Sequence, residues 1–163
     1  NGCVPNMSVA DNMALRNFDM APFSAGWGGG RRLKRGRITR RAKELIEAFG
    51  VRPPNPATAI ENLSGGNVQR AVLARELAQQ VKLLVVANPV FGLDFAATEA
   101  IHRRLDEARN NGAAILLVSE DLDELLELSD RILVMSEGKV AYATPVESAD
   151  VAEIGRHMAG HGH

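Results

Sequence analysis

The chain has 163 residues, 45% of them apolar, a net charge of −1 and a single cysteine. That length supports a real core, and that composition excludes a disordered chain. No apolar run approaches the roughly 20 residues needed to cross a bilayer, and Cys3 alone cannot form an internal disulfide, which suits a reducing compartment and makes the cytoplasm the default.

The first residue is Asn1 and no signal-peptide pattern follows it, so a piece of a longer protein is expected. Ser8 reads as a helix cap, with Asp11 three residues on near the positive helix end, and Val9 and Met13 set a short helical spacing. Glycines and arginines over residues 21–36 suggest a mobile loop, in which Trp27 is a loop anchor or a partner contact.

The near-neutral charge hides a segregation. Residues 31–43 carry eight basic and no acidic side chains, leaving 11 basic against 20 acidic elsewhere. No aromatic residues interleave with these bases, which argues against nucleic acid; a solvated helix face is the simpler reading, and anionic lipid headgroups are an alternative. Ile38, Ala42, Leu45, Ile46 and Phe49 recur at helical spacing, and Gly50 follows as a stop. Three prolines within residues 51–56 exclude regular helix or central strand there.

The octet Leu63-Ser64-Gly65-Gly66-Asn67-Val68-Gln69-Arg70 then opens a helix predicted over residues 64–80, with Val68, Val72, Leu73 and Leu77 inward. A serine and two glycines at a helix start leave backbone N–H groups bare, and such a terminus favours an anion. Residues 83–86 and 113–118 are short apolar runs of the kind buried on both faces of a parallel sheet. Helices are predicted over residues 96–110, ended by Asn111-Gly112, and over residues 122–128. Residues 131–136 and 139–143 flank Glu137-Gly138, a two-residue hairpin turn. A last helix over residues 149–158 leads into a polar tail, where His157, His161 and His163 read as terminal residues rather than metal ligands. Strands alternating with helices give an α/β fold with a parallel sheet and an edge hairpin.

The octet resembles the signature motif of ATP-binding-cassette (ABC) ATPases, which touches the γ-phosphate of a nucleotide held by the opposing subunit. From there onward the order of elements is similar to the second half of an ABC nucleotide-binding domain. The resemblance implies a partial P-loop NTPase core: residues 1–62 as the helical subdomain, 63–145 as the second half of the ATPase core, and 146–163 as a C-terminal helix and tail. No Gly-x-x-x-x-Gly-Lys-Ser/Thr loop occurs in the chain; in the family it lies upstream. A sheet without its first strands is expected to expose apolar surface.

The likeness is strongest to the ATPase subunits of simple-sugar and nucleoside importers. In their second domain a stretch like Ser8-Val9-Ala10-Asp11-Asn12 and an LSGGN signature are common. It implies that Ser64, Gly65, Gly66, Asn67 and Gln69, with Asp94 of the D-loop Gly92-Leu93-Asp94, meet ATP in trans. Three positions depart from the family. Ala87 and Asn88 stand where it carries the Asp and Glu that serve Mg²⁺ and the attacking water, and Glu120 stands at the switch histidine. Alanine offers no ligand oxygen, asparagine takes no proton, and a glutamate repels phosphate, so no intact catalytic residue is expected. The implied cofactors, ATP and Mg²⁺, would be held mainly by a partner domain. The implied partners are a second nucleotide-binding domain, membrane permease subunits and, indirectly, an extracytoplasmic solute-binding protein, at the cytoplasmic face of the membrane and without nucleic acid. The alternative is a non-catalytic interaction module that binds a membrane partner or lipid through residues 31–43.

Overall fold

A computed structural model describes residues 2–26, 32–79 and 81–160. Trp27, Arg31, Gln80, His161 and His163 lie outside the described residues. The chain forms two compact units, Asn1–Leu83 with Val90–Ala114, and Leu84–Pro89 with Ile115–His163.

The first unit is mainly helical. Helix α1 (Val9–Ala14) starts at Ser8, whose Oγ accepts from the Asp11 N–H at 3.1 Å and donates to its carboxylate at 2.8 Å. Asn12 is buried. Its amide accepts from the Val4 N–H and donates to the carbonyls of Val4, Met7 and Ser8, so a polar side chain is satisfied inside the core. The incoming chain is also tied to residues 56–61, because Val9 and Ala10 donate to Thr58 and Pro56, and Ile60 and Glu61 donate to Met7 and Pro5.

The loop expectation for residues 21–36 needs correction. Strands β1 (Ser24–Ala25) and β2 (Arg32–Leu33) pair antiparallel, and helix α2 (Arg35–Ala48) begins inside that range. Burial of Phe23 and a bond from Ser24 Oγ to the Asp19 carbonyl hold the first strand in place. A ladder this short leaves no alternating pattern in the sequence. Along α2, Ile38, Ala42, Leu45 and Ile46 are buried as their spacing predicts, and Gly50 ends the element at φ +63°. Several of its bases serve the unit itself: Arg35 pairs with Asp11, Arg37 donates to the Pro22 carbonyl, and Arg41 contacts Glu44 and the Ala78 carbonyl.

Helix α3 (Gly65–Glu76) is shorter than predicted, and its inner face differs. Ala71, Leu73 and Ala74 are buried, whereas Val72 and Leu77 are only half-buried and Val68 lies at the core margin. Two alanines let α3 lie close to α1 and α2, and the packed face follows that contact rather than the largest side chains. Val9, Met13, Ile38, Leu45, Ile46, Val51 and Ile60 complete the core. Helix α4 (Phe95–Asn110) buries Ala97, Ile101 and Leu105 and is followed by Gly112 at φ +91°.

Strands β3 (Leu83–Ala87) and β4 (Ala114–Val118), all but their first residues in the second unit, pair. Ala114 N–H donates to the Lys82 carbonyl at one end and Asn88 N–H to the Val118 carbonyl at the other, so the strands run parallel. Burial on both faces is not observed. Leu83 and Val85 on β3, and Leu116 and Val118 on β4, are exposed, at 49% to 64%. Among the described residues this sheet has two strands, and one of its faces is open. Exposed apolar surface is thus present on this sheet.

Helix α5 (Leu122–Leu128) is capped by Asp121, which accepts from the Asp123 and Glu124 N–H groups. Strands β5 (Arg131–Ser136) and β6 (Lys139–Pro145) form the predicted hairpin, with Glu137 and Gly138 both at positive φ. Helix α6 (Val151–Met158) packs on this hairpin, burying Ile154 beside Ile132 and Val134, and His157 stacks on Tyr142 at 4.7 Å. His157 therefore belongs to a packed helix rather than a loose tail. No group of three metal-ligating side chains occurs among the described residues.

Candidate functional site

The α3 N-terminus offers donors to an anion. Ser64 is the N-cap residue, extended at φ −64° and ψ 155°, but its side chain accepts no backbone N–H of the first turn. The Asn67 side chain takes that role, donating from Nδ2 to Ser64 Oγ at 2.9 Å. The Asn67 and Val68 N–H groups both go to the Ser64 carbonyl, and the Gly65 and Gly66 N–H groups have no acceptor among the described residues. Ser64 and Gly65 are exposed, and Gly66, Asn67 and Gln69 are half-buried.

The two glycines differ in kind. A Cβ on Gly65 would meet open space, whereas a Cβ on Gly66 would stand 2.7 Å from Leu93 Cδ2. Gly66 is therefore in contact with the loop Gly92-Leu93-Asp94, which the sequence alone did not show. That loop is held at three points: Gly92 has φ +73°, the Leu93 N–H donates to the Val90 carbonyl, and Asp94 caps α4 by accepting from the Ala97 N–H at 2.8 Å. Arg70, the last residue of the octet, donates to the Gly50 carbonyl at 3.0 Å and lies 3.8 Å from Asp94, joining the end of α2 to the loop. Sequence reasoning named the octet but missed Arg70 as its brace; a charge of opposite sign in each of the two motifs was the available signal. Phe91 and Phe95, on either side of the loop, are the most exposed large apolar side chains among the described residues.

A phosphate fits this end. Its oxygens are acceptors only, and Ser64 O–H, Gly65 N–H and Gly66 N–H are donors at the positive end of a 12-residue helix. Hydrogen bonds to a charged group are worth about 1.5–3 kcal/mol each, and the helix terminus adds roughly 0.3–1 kcal/mol.

The end of β3, in the second unit, is of another character. Ala87 has no polar side-chain atom. Asn88 has φ +46°, a left-handed conformation that asparagine tolerates better than most residues, and its Oδ1 accepts from the Glu120 N–H at 3.2 Å. Asn88 thereby ties the strand end to the segment Ser119-Glu120-Asp121, where Ser119 Oγ accepts from the Asp121 N–H. At this strand end Ala87 lacks a side-chain oxygen, and the amide oxygen of Asn88 faces a backbone donor.

No protein-family model matches the chain. It is 41% identical over 163 residues to the glucose import ATP-binding protein of Haloferax volcanii, covering 99% of this chain and 29% of that protein. It is 40% identical over 160 residues to the nucleoside import ATP-binding protein of Lactococcus lactis, covering 98% and 31%. The chain thus spans about three-tenths of the length of these curated relatives. Among solved structures, it resembles a dimeric post-hydrolysis ATP-binding cassette bound to ADP and Pi, with TM-score 0.72 and 21% identity over 88% of this chain and 59% of that one. The ATP-binding subunit of an ABC transporter gives TM-score 0.74 at 17% identity, over 96% and 64%. These likenesses identify the fold as the α/β fold of ATP-binding cassettes, of which the chain spans 59% and 64% of the two structures.

Proposed function

We propose that this chain, like the import ATP-binding proteins it is similar to, belongs to the ABC ATPases and supplies the signature half of an ATP site whose phosphate loop lies on a partner domain. In this reading residues 1–62 are the helical subdomain, 63–145 the second half of the ATPase core, and 146–163 the C-terminal helix and tail. The carrying observation is the α3 N-terminus, where the Ser64 hydroxyl and the Gly65 and Gly66 N–H groups remain available. These donors hold the γ-phosphate of the partner's ATP, with Gln69 flanking them and Asp94 keeping the D-loop against the signature. Mg²⁺ held on the partner's side would supply charge neutralisation. On this chain's own side, Ala87 cannot orient a cation's water shell, Asn88 cannot accept a proton from water, and Glu120 disfavours phosphate.

ATP binding then draws the two domains together, release after hydrolysis separates them, and the motion drives permease subunits at the cytoplasmic face of the membrane. The names of the relatives support a sugar or a nucleoside as the imported solute, and in this reading a solute-binding protein delivers it. No described helix is long and apolar enough to cross a membrane, and this reading places the chain there as a peripheral component.

The test is ATP turnover by the complete importer reconstituted in vesicles. Ser64→Arg removes the hydroxyl and fills the phosphate position, and turnover should fall on the order of a hundredfold or more. The chain by itself should hydrolyse no ATP. Undiminished turnover in the arginine variant, or magnesium-dependent activity of the chain alone that Ser64→Arg abolishes, would refute the trans assignment.

A further inference from the structure

We propose that Asn67 is a positioning residue that sets the direction of the Ser64 hydroxyl proton and acts through Ser64 rather than on the nucleotide. The inference rests on the reading above, that the α3 N-terminus faces a phosphate. Its basis is a relay of two hydrogen bonds. The Arg52 backbone N–H, which can only donate, gives its proton to Asn67 Oδ1 at 2.7 Å. That contact fixes which end of the amide is which. Nδ2 must then point the other way, where it donates to Ser64 Oγ at 2.9 Å.

A hydroxyl that accepts from an amide keeps its own proton for another acceptor. Ser64 has no such acceptor among the described residues. In an ordinary cap the serine oxygen would accept from the backbone N–H of residue 67, but that group goes to the Ser64 carbonyl at 2.9 Å. The side-chain amide therefore occupies the acceptor side of Oγ, and the proton is left to point away from Asn67. The relay is anchored, because Arg52 follows Val51, which is 1% exposed in the core. The outcome is a donor prepared for an anionic oxygen before any ligand arrives, so little reorganisation accompanies binding.

The test compares Asn67→Asp and Asn67→Ala in the complete importer, reading MgATP turnover and thermal stability together. In Asn67→Asp one oxygen still accepts from the Arg52 N–H, but the other now accepts from Ser64 and draws its proton away from phosphate. A carboxylate in the first helical turn is favourable for the helix itself. Turnover should fall at least about tenfold, with a higher KM for ATP, while Tm stays level or rises. Asn67→Ala removes the relay without reversing it and adds no charge; turnover should fall about threefold. Wild-type turnover in the alanine variant would overturn the proposal, since charge alone would then explain the aspartate. So would activity that follows Tm in both variants, or an aspartate variant within about twofold of wild type. Ser64→Arg separates the two readings. If it spares turnover, the trans-site reading has failed. If it abolishes turnover while both Asn67 variants are silent, only the relay has failed.

Discussion

Two asparagines in motif positions show how differently similar side chains are used in this molecule. Asn67, in the first turn of α3, bridges a backbone N–H and a side-chain hydroxyl, and it leaves that hydroxyl's proton facing outward. Asn88, at the end of β3, sits at φ +46° and uses its oxygen to hold the neighbouring segment at Glu120. The first arrangement ends in donors available to a ligand; the second ends in a closed backbone contact. Local geometry, more than residue type, separates a site from a strand end.

The largest effect that would sharpen this contrast is at Gly66. Gly66→Asp places a carboxylate among the three donors, and its Cβ meets Leu93. Vesicle-reconstituted transport should drop by at least about a hundredfold. Adding Leu93→Ala removes the clash and leaves the charge, so transport should stay lost. Recovery in the double variant would assign the defect to packing and weaken the phosphate reading.

A middle-sized effect is expected at the D-loop. Asp94→Ala deletes the α4 cap and the Arg70 contact, and calorimetry should show a loss of about 1 kcal/mol, mostly from the cap. An unchanged Tm would mean that the loop is held by Leu93 and Gly92 alone.

The smallest effect is predicted at the strand end. Ala87→Asp with Asn88→Glu restores the family's acids, yet transport should change by less than about twofold. Glutamate is poorly suited to φ +46°, and the change removes the amide oxygen that binds the Glu120 N–H. A large gain in ATP turnover would break the comparison, because it would show that the β3 end retains catalytic geometry.

Much of the fold was legible because its signals are local. Ser8 before Asp11, Gly50 after α2, and Glu137-Gly138 between β5 and β6 each act within a few residues, through capping or backbone preference. The expectation at Ala87 and Asn88 was an equally local reading, since it depends only on which atoms those side chains have. Burial was not. Leu83 to Val86 read as a strand covered on both faces, but Val85 is exposed, and alanines rather than Val72 and Leu77 form much of the buried face of α3. Apolar character says that a residue can be buried, and packing against other segments says whether it is.

By itself, then, the sequence determined where the helix carrying Ser64, Gly65 and Gly66 begins and which acids the strand end lacks. Tertiary structure alone decided that Gly66 must remain small, because Leu93 arrives from a later loop. It also decided that the Asn67 amide faces Ser64 with its nitrogen, because the Arg52 N–H approaches from fifteen residues upstream. Caps and turns are properties of neighbouring residues; hydrogen-bond direction and steric fit depend on partners that only folding brings together.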